Sequence, residues 1–418
     1  MSRGVLMVAF HVPPFAGSTG AIRTISFARY LPEHGWRPTV LWADVRSYGS
    51  SVTPEDLIDV PSGLEVNRAF ALDVARHLSF RGAYPSWLAT PDRWNTWLLG
   101  AVPKALKLIK LHRVRALWST YPIASSVLIG LVLRRLTGVP WILDLRDPLV
   151  YAAWPVDPWT RRVYTWIERR AVHEADKIVV TTPGAMRLYR ERYPTLPMDK
   201  IHIIANGVED EVLAAVQSSG RAPVTGDGTV HLVHAGLLEV PDRDPSAFFA
   251  ATANLIHGKR FDGVKLKITL RASGQETQNY QRTINALAIP DYVTLAPRIP
   301  YRDALAEMLA ADGLLLFQGP ACNDQIPAKV YEYFASAKPI IGLVDDKGDT
   351  CALLRSSGVP YLADMLSPDD IAQVLERFIS DIVNDAAWRP PTELIARHSR
   401  RARTADLAAV LNSLDDSR

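Results

Sequence analysis

Cysteine is nearly absent from this sequence. The 418 residues include two, Cys322 and Cys351, too few for a disulfide framework or a zinc cluster and compatible with a reducing cytoplasm. Charge of one sign is lacking too. Lys and Arg number 47 against 44 Asp and Glu, a net charge of +3, which makes no electrostatic case for nucleic acid. No apolar run reaches the roughly 20 residues of a membrane-spanning helix. The longest candidate, Ile123 to Leu133, leads into Arg134-Arg135. The chain passes directly into the apolar Val5–Phe10, with no charged leader and long apolar segment, so no signal peptide is expected. Tryptophan is scarce late in the chain: ten of eleven precede residue 170, and only Trp388 follows. The two halves therefore differ in their surfaces or their cores.

What is present is an alternation of strands and helices. Val5–Phe10 reads as a buried strand. A loop with Gly17 and Gly20 follows, then a helix from about Ala21 to Glu33, then the strand Thr39–Trp42. This is a βαβ unit, and its ligand position is the loop after the first strand. Gly17 and Gly20 allow close backbone approach, and Arg23 stands in the first helical turn. The same glycines also suit a plain turn, since the spacing is not the dinucleotide fingerprint. Further units follow, with a helix over Pro158–Glu174 and a strand over Lys177–Thr182. The stretch 217–228 is rich in Ser, Gly, Pro and Thr and reads as a linker. A second series starts at Val230. The expected architecture is two tandem, Rossmann-like, doubly wound α/β domains. The first spans 1–216, the second 229–388, and a polar, Arg-rich helix over 389–418 crosses back to the first.

The stretch Gln325–Ile341 carries the most chemistry. Pro327 suits a first helical position, and Val330, Phe334 and Ala337 make one apolar face. Lys329 lies in the first turn and Glu332 one turn on. A cation and a carboxylate so placed can hold a diphosphate and a ribose diol, with the helix N-terminus facing the anion. An amphipathic helix with two solvated charges accounts for the same residues.

Two other stretches stand out. Asp144-Leu145-Arg146-Asp147-Pro148 ends an apolar strand with three ionisable groups, costly unless paired or used. An Arg146–Asp salt bridge fixing the loop is the alternative. From Arg76 to Arg115, aromatic and basic residues interleave (among them Arg81, Tyr84, Trp87, Arg93, Trp94 and Trp97). Such a surface suits a bilayer interface, and a helix from about Asn95 to Leu111 with core-facing aromatics suits it equally.

Taken in order, these motifs resemble the family 4 glycosyltransferases of the two-domain GT-B fold, closest to bacterial surface-polysaccharide members. The resemblance covers nearly the full length. It rests on Pro13-Pro14, Gly17 and Gly20 after the first strand, Asp92 and Trp97, Asp144–Pro148, Ile204-Ala205-Asn206-Gly207-Val208, Gly236 after the first strand of the second domain, and Lys329 with Glu332-Tyr333.

The resemblance implies a nucleotide sugar held in the second domain across a cleft from an acceptor held in the first. Asp324 and Glu332 stand eight apart, like the family's pair of donor-site acids, with Asp in place of the usual first Glu. Glu332 would take the ribose hydroxyls and Asp324, beside Asn323, the sugar. Leu237-Leu238-Glu239-Val240 lacks the family's early cation, so Arg243 and Lys329 would meet the diphosphate, with Arg271 and Arg298 on the same rim. No metal and no cofactor are expected. Arg146 stands where many relatives have a histidine. Arginine cannot act as a base at neutral pH, so Asp144 or Asp147 would be the base with Arg146 orienting it, or Arg146 would steady the leaving phosphate. Retention of anomeric configuration is implied.

The expected partners are a nucleotide sugar and a sugar or lipid-linked acceptor, without nucleic acid. The expected location is the cytoplasm, with the inner membrane face as a further option. A sugar-nucleotide 2-epimerase of the same fold and a degraded, binding-only transferase stand as alternatives.

Overall fold

A computed structural model describes residues 2–11, 19–48, 60, 63–151, 154–209, 228–240, 242–261, 263–272, 274 and 276–414. Gly17 and all of the expected linker except Gly228 lie outside these residues. The chain divides into two compact units. The first is Met1–Asn206 together with Arg400–Arg418, and the second is Gly207–Ser399.

The first unit is built on seven parallel strands. These are β1 (Arg3–Val8), β2 (Trp36–Ala43), β3 (Glu65–Ala69), β4 (Val114–Thr120), β5 (Trp141–Leu145), β6 (Lys177–Val180) and β7 (Ile201–Ile203). Their order across the sheet is β3-β2-β1-β4-β5-β6-β7. The inner strands β1, β4 and β5 are largely buried on both faces because helices cover both, as a parallel sheet requires. Those helices are α1 (Thr19–Tyr30), α2 (Val74–His77), α3 (Trp97–His112), α4 (Ala124–Thr137), α5 (Pro158–Glu174) and α6 (Pro183–Arg192). Asp157 caps α5 by accepting from Thr160 N at 2.7 Å, with Pro158 at the first position, where a missing N–H costs nothing. Asp92 caps α4 from a distance, accepting from Ser125 N at 2.7 Å and Ser125 Oγ at 3.0 Å.

The second unit has six parallel strands. They are β8 (Thr229–Ala235), β9 (Lys265–Arg271), β10 (Val293–Ala296), β11 (Gly313–Gln318), β12 (Ile340–Val344) and β13 (Leu362–Asp364), in the order β10-β9-β8-β11-β12-β13. Its helices are α7 (Ser246–His257), α8 (Thr277–Ala286), α9 (Tyr301–Ala310), α10 (Lys329–Ala335), α11 (Asp349–Ser356), α12 (Pro368–Val383) and α13 (Thr392–Arg397). In both sheets the strand order reverses once, between β1 and β4 and between β8 and β11. Ligands of such sheets bind at the carboxyl ends of the strands flanking that reversal.

Two boundaries depart from the sequence reading. The first unit ends at Asn206 instead of 216. The stretch 389–418 is not one helix. It holds α13, which packs on α10 in the second unit, and α14 (Arg400–Asn412), which packs on α1 in the first. His398 and Ser399 break the helical run between them. Leu407, Leu411 and Leu414 join Val5, Met7, Trp36 and Trp118 in one buried cluster, which ties α14 to the first sheet by apolar burial.

Candidate functional site

The first unit gathers its polar groups where its sheet reverses. His11 follows β1, Thr120 and Tyr121 end β4, and Arg146 follows β5. With Phe10, Gly20, Pro122 and Ile123 they line a narrow crevice. Burial, and then the Arg146 charge, lower the His11 pKa to about 4, so this imidazole is neutral at pH 7. Burial also lowers the Arg146 pKa, against the raising effect of Asp147, and Thr181 Oγ1 donates to the Arg146 carbonyl at 2.6 Å. Asp147 is exposed beside the pocket.

Arg23 and Asp144 are not part of that surface, contrary to the sequence reading. Both side chains are fully buried. Arg23 Nε donates to Asp144 Oδ2 at 3.0 Å and Nη2 to Oδ1 at 3.2 Å. The same guanidinium donates to the carbonyls of Ile204 and Ala205, each at 3.0 Å. It therefore fastens α1 to the ends of β5 and β7. An acid held this way neither meets solvent nor gives up its partner cheaply, so Asp144 is a brace and not a base. Gly20 lines the pocket as α1 begins.

The second unit assembles a cationic corner at its own reversal. Gly236, at φ +149°, ends β8. A Cβ at that position would lie inside the contact distance of Lys329 Nζ, from the start of α10. Glycine there lets the lysine cross the end of the strand. Burial lowers the Lys329 pKa to about 8, with Arg243 adding to the effect and Glu332 opposing it. Arg243 Nε donates to Gln318 Oε1 at 3.1 Å, at the end of β11. Among the described residues neither cation is held in a salt bridge. Beneath them His234 Nδ1 donates to the Leu315 carbonyl at 2.8 Å. Burial, followed by Lys329, pushes its pKa down to about 3. Glu332 is half-buried, and the Tyr301 hydroxyl donates to its Oε1 at 3.4 Å. Asp324 is exposed just before α10.

The helix is shorter than its sequence pattern, beginning at Lys329 and not at Pro327. Seven residues make it too short for a strong terminal dipole. The side chains therefore carry the electrostatics here. Arg271 also departs from expectation. Its guanidinium is paired through Nε and Nη2 with Glu307 and donates to the Pro297 carbonyl at 2.8 Å, so it braces β9 against α9. Arg298 is exposed beyond β10, the edge strand, with β9 between it and β8.

Sequence reasoning missed His11, Tyr121 and His234. Each directly follows or belongs to a buried strand at a reversal point, and that position was the available signal.

Residues 18–207 match the model of the glycosyl transferase 4-like domain. Alpha-maltose-1-phosphate synthase of Mycolicibacterium smegmatis is 30% identical over 84 residues, which is 18% of this chain and 20% of that protein. Its match thus spans about a fifth of the relative's length. The whole chain superposes on sucrose-phosphate synthase from Thermosynechococcus elongatus with a TM-score of 0.64 at 14% identity, covering 100% of both chains. It superposes on Anabaena HepE in complex with UDP at 0.62 and 15%, covering 99% and 100%. The two parallel-sheet units are the GT-B fold of these neighbours.

Proposed function

We propose that the chain transfers a sugar from a nucleotide-diphosphate sugar to an acceptor hydroxyl. The observation that carries this reading is the Lys329–Arg243 corner. Among the described residues, two cations outside any salt bridge converge at the carboxyl ends of β8 and β11. That is where a doubly wound sheet takes its ligand, and two neighbouring cations favour an anion there. The UDP in the HepE neighbour is such an anion.

In this reading Lys329 and Arg243 receive the charge that develops on the leaving diphosphate, which is worth more in a partly desolvated corner than in water. They take the place that a metal fills elsewhere, so neither metal nor cofactor is needed. Glu332, positioned by Tyr301, takes the ribose hydroxyls, and Asp324 with Asn323 reaches the sugar. The His11–Tyr121–Arg146 pocket receives the acceptor, with Asp147 as the exposed carboxylate able to accept its proton. His11 is neutral at pH 7 and positions a hydroxyl, and Arg146 cannot take a proton. Retention of configuration, and a role in polysaccharide or glycoconjugate synthesis, follow from the family resemblance.

The test is a panel of nucleotide sugars added to the purified protein. A rise in melting temperature with one of them, and its turnover when acceptors are supplied, are expected. Failure of every donor to stabilise the protein would sink the reading. Conversion of the donor alone into an epimer would point to the epimerase instead.

A further inference from the structure

Helix α5 turns an unusual face outward. Its 17 residues span roughly 25 Å at ~1.5 Å per residue. Trp159, Arg162, Trp166, Arg169, Arg170 and His173 are all exposed. At 3.6 residues per turn they fall within an arc of about 100°. Trp159 and Trp166 are 53% and 49% exposed. The opposite face is fixed in the core by Ile167, Ala171 and Val172.

The carboxylates of α5 are withdrawn from this face. Glu168 is buried, accepting from the Tyr189 and Tyr193 hydroxyls at 3.1 and 2.9 Å and from Arg192 Nη1 at 2.5 Å. Glu174 is paired with Arg135. Asp157, at the cap, is committed to Thr160. The outward face is thus cationic and aromatic.

The lead-in to the helix continues it. Tyr151 and Trp154 pair their backbones at 3.0 and 3.2 Å and are 38% and 43% exposed, while Val156 is 81% exposed. Trp154 lies near the Tyr121 side chain, and Tyr121 lines the pocket after β4. The surface runs from the rim of that pocket along the helix.

We propose that this surface docks the protein onto an anionic lipid bilayer. Indole rings settle at headgroup depth, with one end apolar and the other wet. Arginines interleaved with them meet lipid phosphates, and guanidinium matches phosphate geometry in a bidentate way. A single solvated helix face has no need of two half-exposed tryptophans at a seven-residue spacing. Among the described residues no helix is long and apolar enough to cross a membrane, so the association is peripheral. The surface seen here is not the one marked by sequence. Of the earlier aromatic stretch, Trp97 is buried and Trp94 packs against the core, while Phe80, Tyr84 and Trp87 are exposed.

The test uses the full chain and vesicles, with no nucleotide sugar present, so it stands or falls apart from the proposed activity. Co-sedimentation is expected with vesicles of phosphatidylcholine and phosphatidylglycerol in equal parts, weakening as salt is added. Phosphatidylcholine alone should bind much less. Replacing Arg162, Arg169 and Arg170 by Gln should weaken binding roughly fivefold for each arginine. Trp159→Ala with Trp166→Ala should markedly reduce quenching of tryptophan emission by brominated lipid, with Trp154 leaving a remainder. Melting curves of both variants should match the parent, since the side chains are exposed. Equal binding by parent and variants, or no binding by the parent, would overturn the proposal. So would a loss of self-association in the tryptophan variant with vesicle binding unchanged, which would make the face a protein interface.

Discussion

The amino group of Lys329 occupies the space that a Cβ on Gly236 would fill. The two residues are 93 positions apart in sequence, yet each sets the other's identity. The glycine leaves room for the lysine, and the lysine places its charge where β8 ends. Gly236→Ala is therefore expected to push Lys329 out of the corner and to strain the backbone, which sits at φ +149°. Loss of one charge-assisted contact is worth about 1.5–3 kcal/mol, or roughly tenfold to hundredfold in affinity. Titration calorimetry with UDP measures it, and unchanged affinity would remove Lys329 from the donor site.

The Lys329 pKa of about 8 gives donor binding a pH dependence. The ammonium form predominates below that value and the neutral amine above it. An anion favours the ammonium form, so affinity for a nucleoside diphosphate should fall as pH rises from about 7 to about 9, by up to about tenfold. Arg243 keeps its charge throughout that range and leaves a residual affinity. Lys329→Met should flatten the profile. A parent profile that is already flat would exclude the lysine.

Glu332 and the phosphate cations should be separable by ligand. Glu332→Gln is expected to weaken UDP while leaving inorganic pyrophosphate unaffected, because only UDP carries the ribose diol. A hydrogen bond to a charged acceptor contributes about 1.5–3 kcal/mol. Equal losses for both ligands would show that the carboxylate acts through Lys329 instead.

Asp144→Asn should act on stability. The buried partner Arg23 would keep its charge with half its compensation, at a cost of about 3–5 kcal/mol. Urea unfolding should show a lower midpoint, while the folded fraction keeps its turnover number. Asp147→Asn should do the reverse, slowing turnover with little change in the midpoint. If Asp144→Asn stops turnover in fully folded protein, its assignment as a brace is wrong.

Much of the fold was legible because periodic elements declare themselves. The helix Pro158–Glu174 has the limits read from its sequence. The switch between Ser399 and Arg400 was not legible. The run over 389–418 has no proline or glycine after Pro391 to mark a break, and only tertiary packing sends α13 and α14 to different units. At the site, Lys329 and Glu332 could be singled out because they share one short stretch. The fates of Arg23, Asp144 and Arg271 could not. Their partners lie far off in sequence, and a buried ion pair has the same composition as a reactive cluster. His11 and His234 were overlooked because an isolated histidine beside a strand carries no spacing signal. Only the sheet order, with its reversals beside β1 and β8, gives their positions meaning.

Helix α14 has a consequence for how the chain is made. Its leucines 407, 411 and 414 close the same buried cluster as Val5 and Met7, so β1 leaves the ribosome well before the residues that complete its packing. At typical elongation rates of about 5–20 residues per second, the intervening second unit takes roughly ten to forty seconds to emerge. The usual order, in which the leading domain finishes first, is inverted. The second unit, continuous from Gly207 to Ser399, can complete its core while the nascent first sheet still shows an uncovered apolar flank, the interval when chaperone capture would count most.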